Sequence, residues 1–262
     1  MFFLPRAFHP CAVKSRLEHA DPSATRELLH ELELVTANGV MPDFGHEGAR
    51  TGYVQKRFLK RSSYIGSCFL TPGMRPWLDK LFAPAELNVA SIGGAAGSDI
   101  LGLLALREYV GASTVLRGTV FEYENGWADG CHALTNVLQE EGYIKAGSCF
   151  PVEFSHCDVV APLEAETNRM LAEATPKFDL FFFMYVLVEN AQGLQSSRFA
   201  HLASTFRLAK AGAIFVFMDS SFKLWEDIRL LAEGERREGG VEATFPKSGR
   251  AYGNTMVLVL NQ

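Results

Sequence analysis

The chain has 262 residues, of which 48% are hydrophobic and 21% charged, a composition typical of a folded globular protein and unlike that of a disordered one. Its net charge of −5 and pI near 5.8 exclude a strong overall attraction to nucleic acid or anionic membranes, although they allow a local basic patch. The five cysteines are odd in number and form no C-x-x-C pair, which favours reduced thiols over a disulfide framework or a zinc site.

Residues 1 to 84 are predicted to form a helical N-terminal extension. Its first helix begins at Asp21 and ends at Asn38, and residues 41–52 read as a loop because they carry Pro, Gly and Asp. An amphipathic helix is predicted over residues 53–61, and another over residues 74–82.

The predicted helix over residues 53–61 carries four basic side chains. In an acidic chain, such a group is most simply a solvated helix face. An alternative is a patch for an anionic acceptor such as RNA, to which basic residues late in the chain would also contribute. The residues concerned are Lys56, Arg57, Lys60, Arg61, Arg229, Arg236, Arg237, Lys247 and Arg250.

No segment has the length and composition of a signal peptide or a membrane span. The most apolar run, residues 178–188, has about half the length that a membrane span requires and is typical of a central buried strand. We therefore expect a soluble protein without membrane contact, located in the cytoplasm, with the nucleus not excluded.

From Leu87 onward, predicted strands alternate with predicted helices. This pattern indicates an α/β, Rossmann-like, doubly wound and mostly parallel sheet of seven strands. The five predicted parallel strands are residues 87–92, 115–121, 150–154, 178–184 and 213–218, and the helices after them are residues 100–110, 127–140, 163–174, 194–208 and 221–235. Two final apolar runs, residues 241–245 and 255–260, have no helix between them and predict a terminal antiparallel hairpin.

The bend after the first strand has the sequence Gly93-Gly94-Ala95-Ala96-Gly97. Residues with little or no side chain let a ligand approach the backbone, and the free N–H groups at the start of the next helix face that ligand. We expect Ser98 and Asp99 to supply the N-cap of this helix. Because ligands of open α/β sheets bind at the carboxyl ends of the strands, the bend predicts a binding site.

Three other strand ends carry polar residues. Glu122 ends the second strand about 25 residues after the bend, an offset that suits a carboxylate accepting hydrogen bonds from two ribose hydroxyls. Asp158 follows the third strand, where its side chain is placed to accept a hydrogen bond from an exocyclic amine. Tyr185 and Glu189 follow the fourth strand, near the expected position of a reacting group.

This order of motifs resembles that of the class I S-adenosylmethionine (SAM)-dependent methyltransferases, over residues 85–262. The family's glycine motif corresponds to residues 91–97, and its second-strand acid corresponds to Glu122, with Glu124 as an alternative register. The third acid corresponds to Asp158, and the fourth motif to residues 178–185. The resemblance implies transfer of a methyl group from SAM.

The resemblance also implies the residues of the site. Tyr185 and Glu189 are the catalytic candidates near the transferred methyl group, with Asn190 as a positioning group. The implied cofactor-binding residues are Ser91, Gly93, Gly94, Ala95, Gly97, Asp99, Glu122, Tyr123, Trp127, Cys157, Asp158, Val159, Met184 and Tyr185.

Two positions depart from the family's pattern. Ser91 stands where the family has an acid, and Ala95 stands in place of the central glycine. This variant, with Glu122 before Trp127 and Tyr185 before Glu189, resembles a little-characterised eukaryotic subgroup of the superfamily. The departures also motivate an alternative function, that of a non-catalytic Rossmann-like subunit that binds SAM or serves as a scaffold.

The glycine-rich bend also resembles the dinucleotide turn of short-chain dehydrogenases. Those enzymes need a tyrosine followed four residues later by a lysine, because the lysine lowers the pKa of the phenol. None of the seven tyrosines is followed by lysine at that spacing, and the terminal hairpin does not fit that family. An NAD(P)-dependent oxidoreductase is therefore the weaker alternative.

The sequence does not identify the methyl acceptor. An Asn/Asp-Pro-Pro-Tyr/Phe segment after the fourth strand would have indicated an amino nitrogen, but residues 183–186 read Phe-Met-Tyr-Val. A small molecule, a protein side chain and RNA all stay open, and we expect the helical region before residue 85 to cover the site and select among them. The histidines show no metal-ligand spacing, so no metal is expected, and the oligomeric state is not predicted.

Overall fold

The structure is a computed structural model that describes residues 21–38, 43–140, 152–236, 240–246 and 254–261. Its strands are β1 Glu86–Ile92, β2 Val115–Glu122, β3 Glu153–His156, β4 Leu180–Met184, β5 Ile214–Asp219, β6 Val241–Thr244 and β7 Asn254–Leu260. Its helices are α1 Pro22–Asn38, α2 Glu47–Phe69, α3 Arg75–Leu81, α4 Ser98–Val110, α5 Trp127–Glu140, α6 Arg169–Ala174, α7 Ala191–Ser196, α8 Ala200–Leu208 and α9 Trp225–Glu235.

Seven strands of the described ranges form one sheet in the order β3-β2-β1-β4-β5-β7-β6. Strands β1 to β5 pair in parallel, whereas β7 is antiparallel to both β5 and β6. The predicted mostly parallel sheet with a terminal antiparallel hairpin is therefore confirmed. The strand order reverses between β1 and β4, which places a crevice at their carboxyl ends.

The central strands are apolar because helices cover both faces of the sheet. Successive side chains of a strand point to opposite faces, so β4 divides its residues between two clusters. Phe182 packs with α2, α3 and α4 on one face, whereas Phe181 and Phe183 pack with α8 and α9 on the other. The first cluster includes residues of α1, so helices before residue 85 share a core with the sheet.

Helix α2 is longer than predicted, and the loop expected over residues 41–52 is wrong from Glu47 onward. The helix begins after His46, whose Nδ1 accepts a hydrogen bond from the Ala49 N–H at 3.2 Å. Gly52 lies against Thr25 of α1, where a Cβ atom would come within 1.8 Å of the Thr25 hydroxyl. This glycine therefore serves close helix packing, which local propensity does not reveal.

The N-cap expected at Ser98 and Asp99 is also wrong. Gly97 is the N-cap residue of α4 and has a left-handed backbone with φ of 81°. Ser98 is the first helical residue, and the Asp99 carboxylate accepts from the Ile100 N–H inside the first turn.

Other boundaries shift by a few residues. The third strand was predicted over residues 150–154; residues 150 and 151 lie outside the described ranges, and β3 continues to His156. The helix predicted over residues 194–208 is two helices, because Arg198 and Phe199 have positive φ values of 52° and 56°. The helices predicted from residues 163 and 221 begin later, at a 3-10 turn over Glu166–Asn168 and at Trp225.

None of the described helices combines the length and apolar character that crossing a bilayer requires. The fold does not test the prediction that residues 1–84 form a separate substrate cap, and this division stays a prediction.

The contact between α2 and α4 gives a test of the fold. At Gly102 of α4, a Cβ atom would lie 2.3 Å from the Ser62 carbonyl oxygen of α2. We expect Gly102→Ala to lower the free energy of unfolding by about 1–3 kcal/mol, because backbone atoms cannot yield as a side chain can. Urea unfolding monitored by circular dichroism measures the change.

The matched control is Gly234→Ala in α9, where no atom lies within 4 Å of the added Cβ position. Helix propensity alone predicts a gain of about 0.5–1 kcal/mol there. Equal effects of the two substitutions would contradict the described packing of α2 on α4.

Candidate functional site

A cavity of about 450 Å³ opens at the carboxyl ends of β1, β2 and β4. Its walls also include the segment after β3 and residues of α2 and of the segment before it. The predicted site residues that line it are Gly93, Ala95, Glu122, Tyr123, Trp127, Cys157, Asp158, Val159, Met184, Tyr185, Glu189 and Asn190. Ser91, Gly94, Gly97 and Asp99 do not line the cavity.

The glycine-rich bend turns through left-handed residues. Gly93, Ala95 and Gly97 have φ values of 65°, 48° and 81°. Ala95 therefore adopts a conformation that residues with a Cβ atom rarely adopt. The bend is held by the Gly93 N–H, which donates to the Phe121 carbonyl oxygen of β2 at 2.8 Å.

Ser91 and Asp99 form a buried pair beneath this bend. The Ser91 hydroxyl donates to Asp99 Oδ2 at 2.6 Å, and both side chains are almost fully buried. Burial raises the pKa of Asp99 to about 6, against the hydrogen bonds from Ser91 and Ile100 that lower it. Gly94 lies directly on Ser91, where a Cβ atom would come within 1.9 Å of the hydroxyl oxygen. Asp99 of α4 thus places a carboxyl group beside Ser91.

Glu122 joins the end of β2 to the bend. Its Oε2 accepts from the Ala95 N–H at 2.9 Å, and its Oε1 accepts from the Tyr123 N–H at 2.9 Å. Burial raises the pKa of this carboxyl, while the two backbone hydrogen bonds lower it. Each carboxylate oxygen can accept a second hydrogen bond, so the group can still bind a pair of hydroxyls from the cavity side.

The segment after β3 is fixed by Asn168, a residue that the sequence analysis missed. Its amide accepts from the Asp158 N–H at 2.8 Å and donates to the Asp158 carbonyl oxygen at 2.9 Å. The Asp158 carboxylate accepts from the Val160 N–H. Burial raises the pKa of the neighbouring Cys157 thiol, so this cysteine is an apolar wall of the cavity.

Three aromatic side chains form an aromatic wall of the cavity. The rings of Phe44, Tyr53 and Trp127 lie 5.6–5.9 Å apart between centroids. Burial raises the pKa of Tyr53 to about 12, so its phenol stays neutral. The sequence analysis missed Phe44 and Tyr53 because they precede the sheet domain in the chain.

Arg61 lines the cavity, which corrects the expectation that the four basic residues of α2 form one solvated face. Lys56 and Lys60 are exposed, but the Arg61 guanidinium lies over the Tyr185 ring at 4.2 Å and near the Tyr53 ring at 5.1 Å. Its position eight residues after Tyr53 places both on one helix face, and this spacing is the signal that could have identified it.

Tyr185 and Glu189 lie on the same side of the cavity as Arg61. Tyr185 has a φ of 62°, and burial raises its pKa. Burial raises the pKa of Glu189 to about 8, with Arg61 lowering it and Asp219 and Glu122 raising it further. The site therefore holds a carboxyl whose protonation changes near neutral pH.

Two interactions fix the segment after β4. The buried Asp219 at the end of β5 accepts from the Val188 N–H at 2.9 Å. The Asn190 side-chain amide donates to the Val186 carbonyl oxygen at 2.8 Å, which leaves its amide oxygen for other contacts.

Within the ranges that the structure describes, no three His, Cys, Asp or Glu side chains are placed to hold a metal ion.

No protein-family model matches the chain, and no curated protein matches its sequence. Solved structures do share its fold. Human N-acetylserotonin methyltransferase in complex with SAM superimposes with a TM-score of 0.50 and 14% identity, over 92% of this chain and 66% of that one. The chain thus spans just under two thirds of the human structure.

Two further similar structures have lower TM-scores. A methyltransferase from Pyrococcus furiosus has a TM-score of 0.46 and 12% identity, over 92% of this chain and all of that one. An O-methyltransferase from Bacillus cereus in complex with SAH has a TM-score of 0.42 and 11% identity, over 92% of both chains. None of these likenesses tests the expected eukaryotic subgroup, which stays a prediction.

The raised pKa of Glu189 gives a pH test. The folded chain keeps this proton from the ordinary value of 4.5 up to about 8, whereas the unfolded chain loses it near 4.5. The folded state thus binds more protons in this window, and stability falls as the pH rises through it, by at most about 1.4 kcal/mol per pH unit. We expect Glu189→Gln to remove that part of the slope of the unfolding free energy against pH.

Glu173→Gln, at an exposed position of α6, is the control and should leave the slope unchanged. An unchanged slope in Glu189→Gln would show that this carboxyl titrates normally and would contradict its described surroundings.

Proposed function

We propose that this chain transfers a methyl group from SAM to an acceptor. The proposal is supported by its fold, which it shares with SAM-dependent methyltransferases. The observation that carries the proposal is the Glu122 carboxylate, which lines the cavity and accepts a hydrogen bond from the Ala95 N–H of the glycine-rich bend. An adenosyl group needs a hydrogen-bond acceptor for its two ribose hydroxyls beside a backbone with little side-chain bulk. The Glu122 carboxylate can be that acceptor, and Gly93 and Ala95 line the cavity beside it.

We propose a direction for the cofactor from the order of the strand ends. Glu122 would accept from the ribose hydroxyls, while Cys157, Asp158 and Val159 would surround the adenine. The methionine end would then run past Gly93 toward β4 and α2. We thus propose that the predicted binding residues of the cavity hold SAM in this orientation.

The charges of the cavity support a cationic cofactor. Five carboxyl groups line it, against a single guanidinium among the described lining residues: Asp43, Glu122, Glu124, Asp158 and Glu189, with Arg61. Glu189 keeps its proton at neutral pH because its pKa is raised to about 8, but the other four carboxyl groups, when ionised, still outnumber the guanidinium. Such an excess of negative charge attracts cations. SAM supplies a sulfonium carbon to which the acceptor forms a bond as the carbon–sulfur bond breaks and its electron pair returns to sulfur.

The chain's own residues would orient the acceptor and receive its proton. Glu189, when ionised, takes the proton that the acceptor atom loses, and its pKa of about 8 suits that exchange. Tyr185 and the aromatic wall exclude water from the reacting atoms. Asn190 offers its amide oxygen for positioning.

The excess of carboxyl groups in the cavity favours a small molecule or protein side chain over RNA as the acceptor. Two of the basic residues considered for an RNA patch are also engaged within the chain. Arg229 is bound to Glu226 and Glu233, and Arg236 donates to the Ala209 carbonyl oxygen. Arg237, Lys247 and Arg250 lie outside the described residues.

Since Phe44, Tyr53 and Arg61 line the cavity, we also propose that the helical region before residue 85 covers the site and selects the acceptor.

A non-catalytic SAM-binding or scaffold subunit is the second candidate. The observation that favours it is the left-handed φ of 48° at Ala95, which places a Cβ atom where the family that the sequence resembles has its central glycine. Titration calorimetry with SAM separates part of this alternative: no binding favours the scaffold, whereas binding without transfer to a tested acceptor leaves the role open.

A pair of carboxyl variants tests the ribose contact. We expect Glu122→Gln to weaken S-adenosylhomocysteine (SAH) binding by about 10- to 100-fold, because charge-assisted hydrogen bonds to two hydroxyls are lost. Glu124→Gln, in the alternative register, should change the affinity by less than about threefold. Titration calorimetry of both proteins measures the difference.

A larger loss in Glu124→Gln than in Glu122→Gln would move the ribose contact to the alternative register. No loss in either variant would refute the assignment of the ribose to this strand end.

A further inference from the structure

Arg61 stands apart from the other groups of the cavity because its charge has no matched partner. In the described part of the chain, its guanidinium contacts are the rings of Tyr185 and Tyr53, and no ion pair or hydrogen bond to it is found. The side chain is only partly buried and lines the cavity, so its N–H donors are placed to bind a group that enters the cavity. A ligand group is the natural complement to it.

The two tyrosines determine how the guanidinium is presented. The Tyr185 ring covers it at 4.2 Å, a cation–π distance, and the Tyr53 ring flanks it at 5.1 Å. Rings that cover the face of a guanidinium leave its edge, which carries the N–H donors, for another group. The edge of a guanidinium matches the two oxygens of a carboxylate.

Charged neighbours stabilise Arg61 without occupying its donors. Glu189, Asp219 and Asp99 attract the guanidinium through space, although none of them is within ion-pair distance. Arg61 also lies beside Ala95, Ala96 and Ser98, at the end of the bend where α4 begins. The donors of Arg61 are thus next to the part of the cavity where the methionine end of SAM would run.

We propose that Arg61 is the carboxylate-binding residue of this cavity, receiving the carboxylate of a bound ligand on its guanidinium edge. The inference rests on the proposed function and has two sources for the same chemistry: the amino-acid end of SAM, or a carboxylate of the acceptor. The path from Asp158 through Glu122 to the bend makes the amino-acid end of SAM the expected source.

Two nucleosides separate these sources. SAH carries the carboxylate, whereas 5′-methylthioadenosine has the same adenosyl thioether without the amino-acid end. We expect Arg61→Met to weaken SAH binding by about 10- to 100-fold and to leave methylthioadenosine binding within about twofold, measured by titration calorimetry. Lys60→Met, on the exposed face of the same helix, should change neither affinity.

Arg61→Lys tests the geometry of the contact. Lysine keeps the charge but not the planar fork, so SAH affinity should fall between those of the wild type and Arg61→Met. Thermal unfolding of each variant, and its retained methylthioadenosine binding, report whether the adenosyl site is still folded. If Arg61→Met does not fold, Arg61→Lys is the test: a fall in SAH affinity relative to methylthioadenosine affinity supports the proposal, and an unchanged ratio contradicts it.

Benzoate, followed by saturation-transfer NMR, probes the acceptor as the source. Loss of its signal in Arg61→Met, with SAH affinity unchanged, supports the proposal and assigns the carboxylate to the acceptor. Unchanged SAH, methylthioadenosine and benzoate binding overturns the proposal. If the wild type binds neither nucleoside, the proposed function fails, and the benzoate comparison alone decides the role of Arg61.

Discussion

The hydrogen bond from the Ala95 N–H to the Glu122 carboxylate connects the two strand ends around which the cavity is built. The bend after β1 and the end of β2 belong to neighbouring parallel strands, and this contact fixes both at one edge of the sheet. The Ser91–Asp99 pair supports the bend from below, since Gly94 lies directly on Ser91. The rest of the site is arranged around this bend.

The ionisable groups in and beside the cavity are withdrawn from water, and this determines which ligands the cavity can bind. Glu122, Glu189 and Asp219 all have pKa values raised by burial, so the site holds carboxyls that favour either a proton or a cation. Arg61 supplies the opposing charge from α2. A ligand with a cationic centre and a carboxylate end complements both groups. SAM has this distribution of charge.

The sequence predicted the sheet well because hydrophobic runs and the glycine-rich bend are local signals. The strand at β1, the bend and the apolar helix α4 follow from residues close together in the chain. Arg61 was missed because its burial depends on how α2 packs on α4, a tertiary contact that charge patterning does not report. Asn168 and Asp219 were missed for the same reason, since each fixes a loop distant in sequence. The helix break at Arg198 and Phe199 was also missed, because neither residue is the glycine or proline that usually marks such a break in a sequence.

A crystal structure of the chain with SAH tests the central claim most directly. The account predicts that both ribose hydroxyls lie within hydrogen-bond distance of the Glu122 carboxylate, with the adenine beside Asp158 and the homocysteine end beside the bend. Density for SAH elsewhere, or a crevice between Gly93 and Glu122 that stays closed by side chains at saturating SAH, would contradict it.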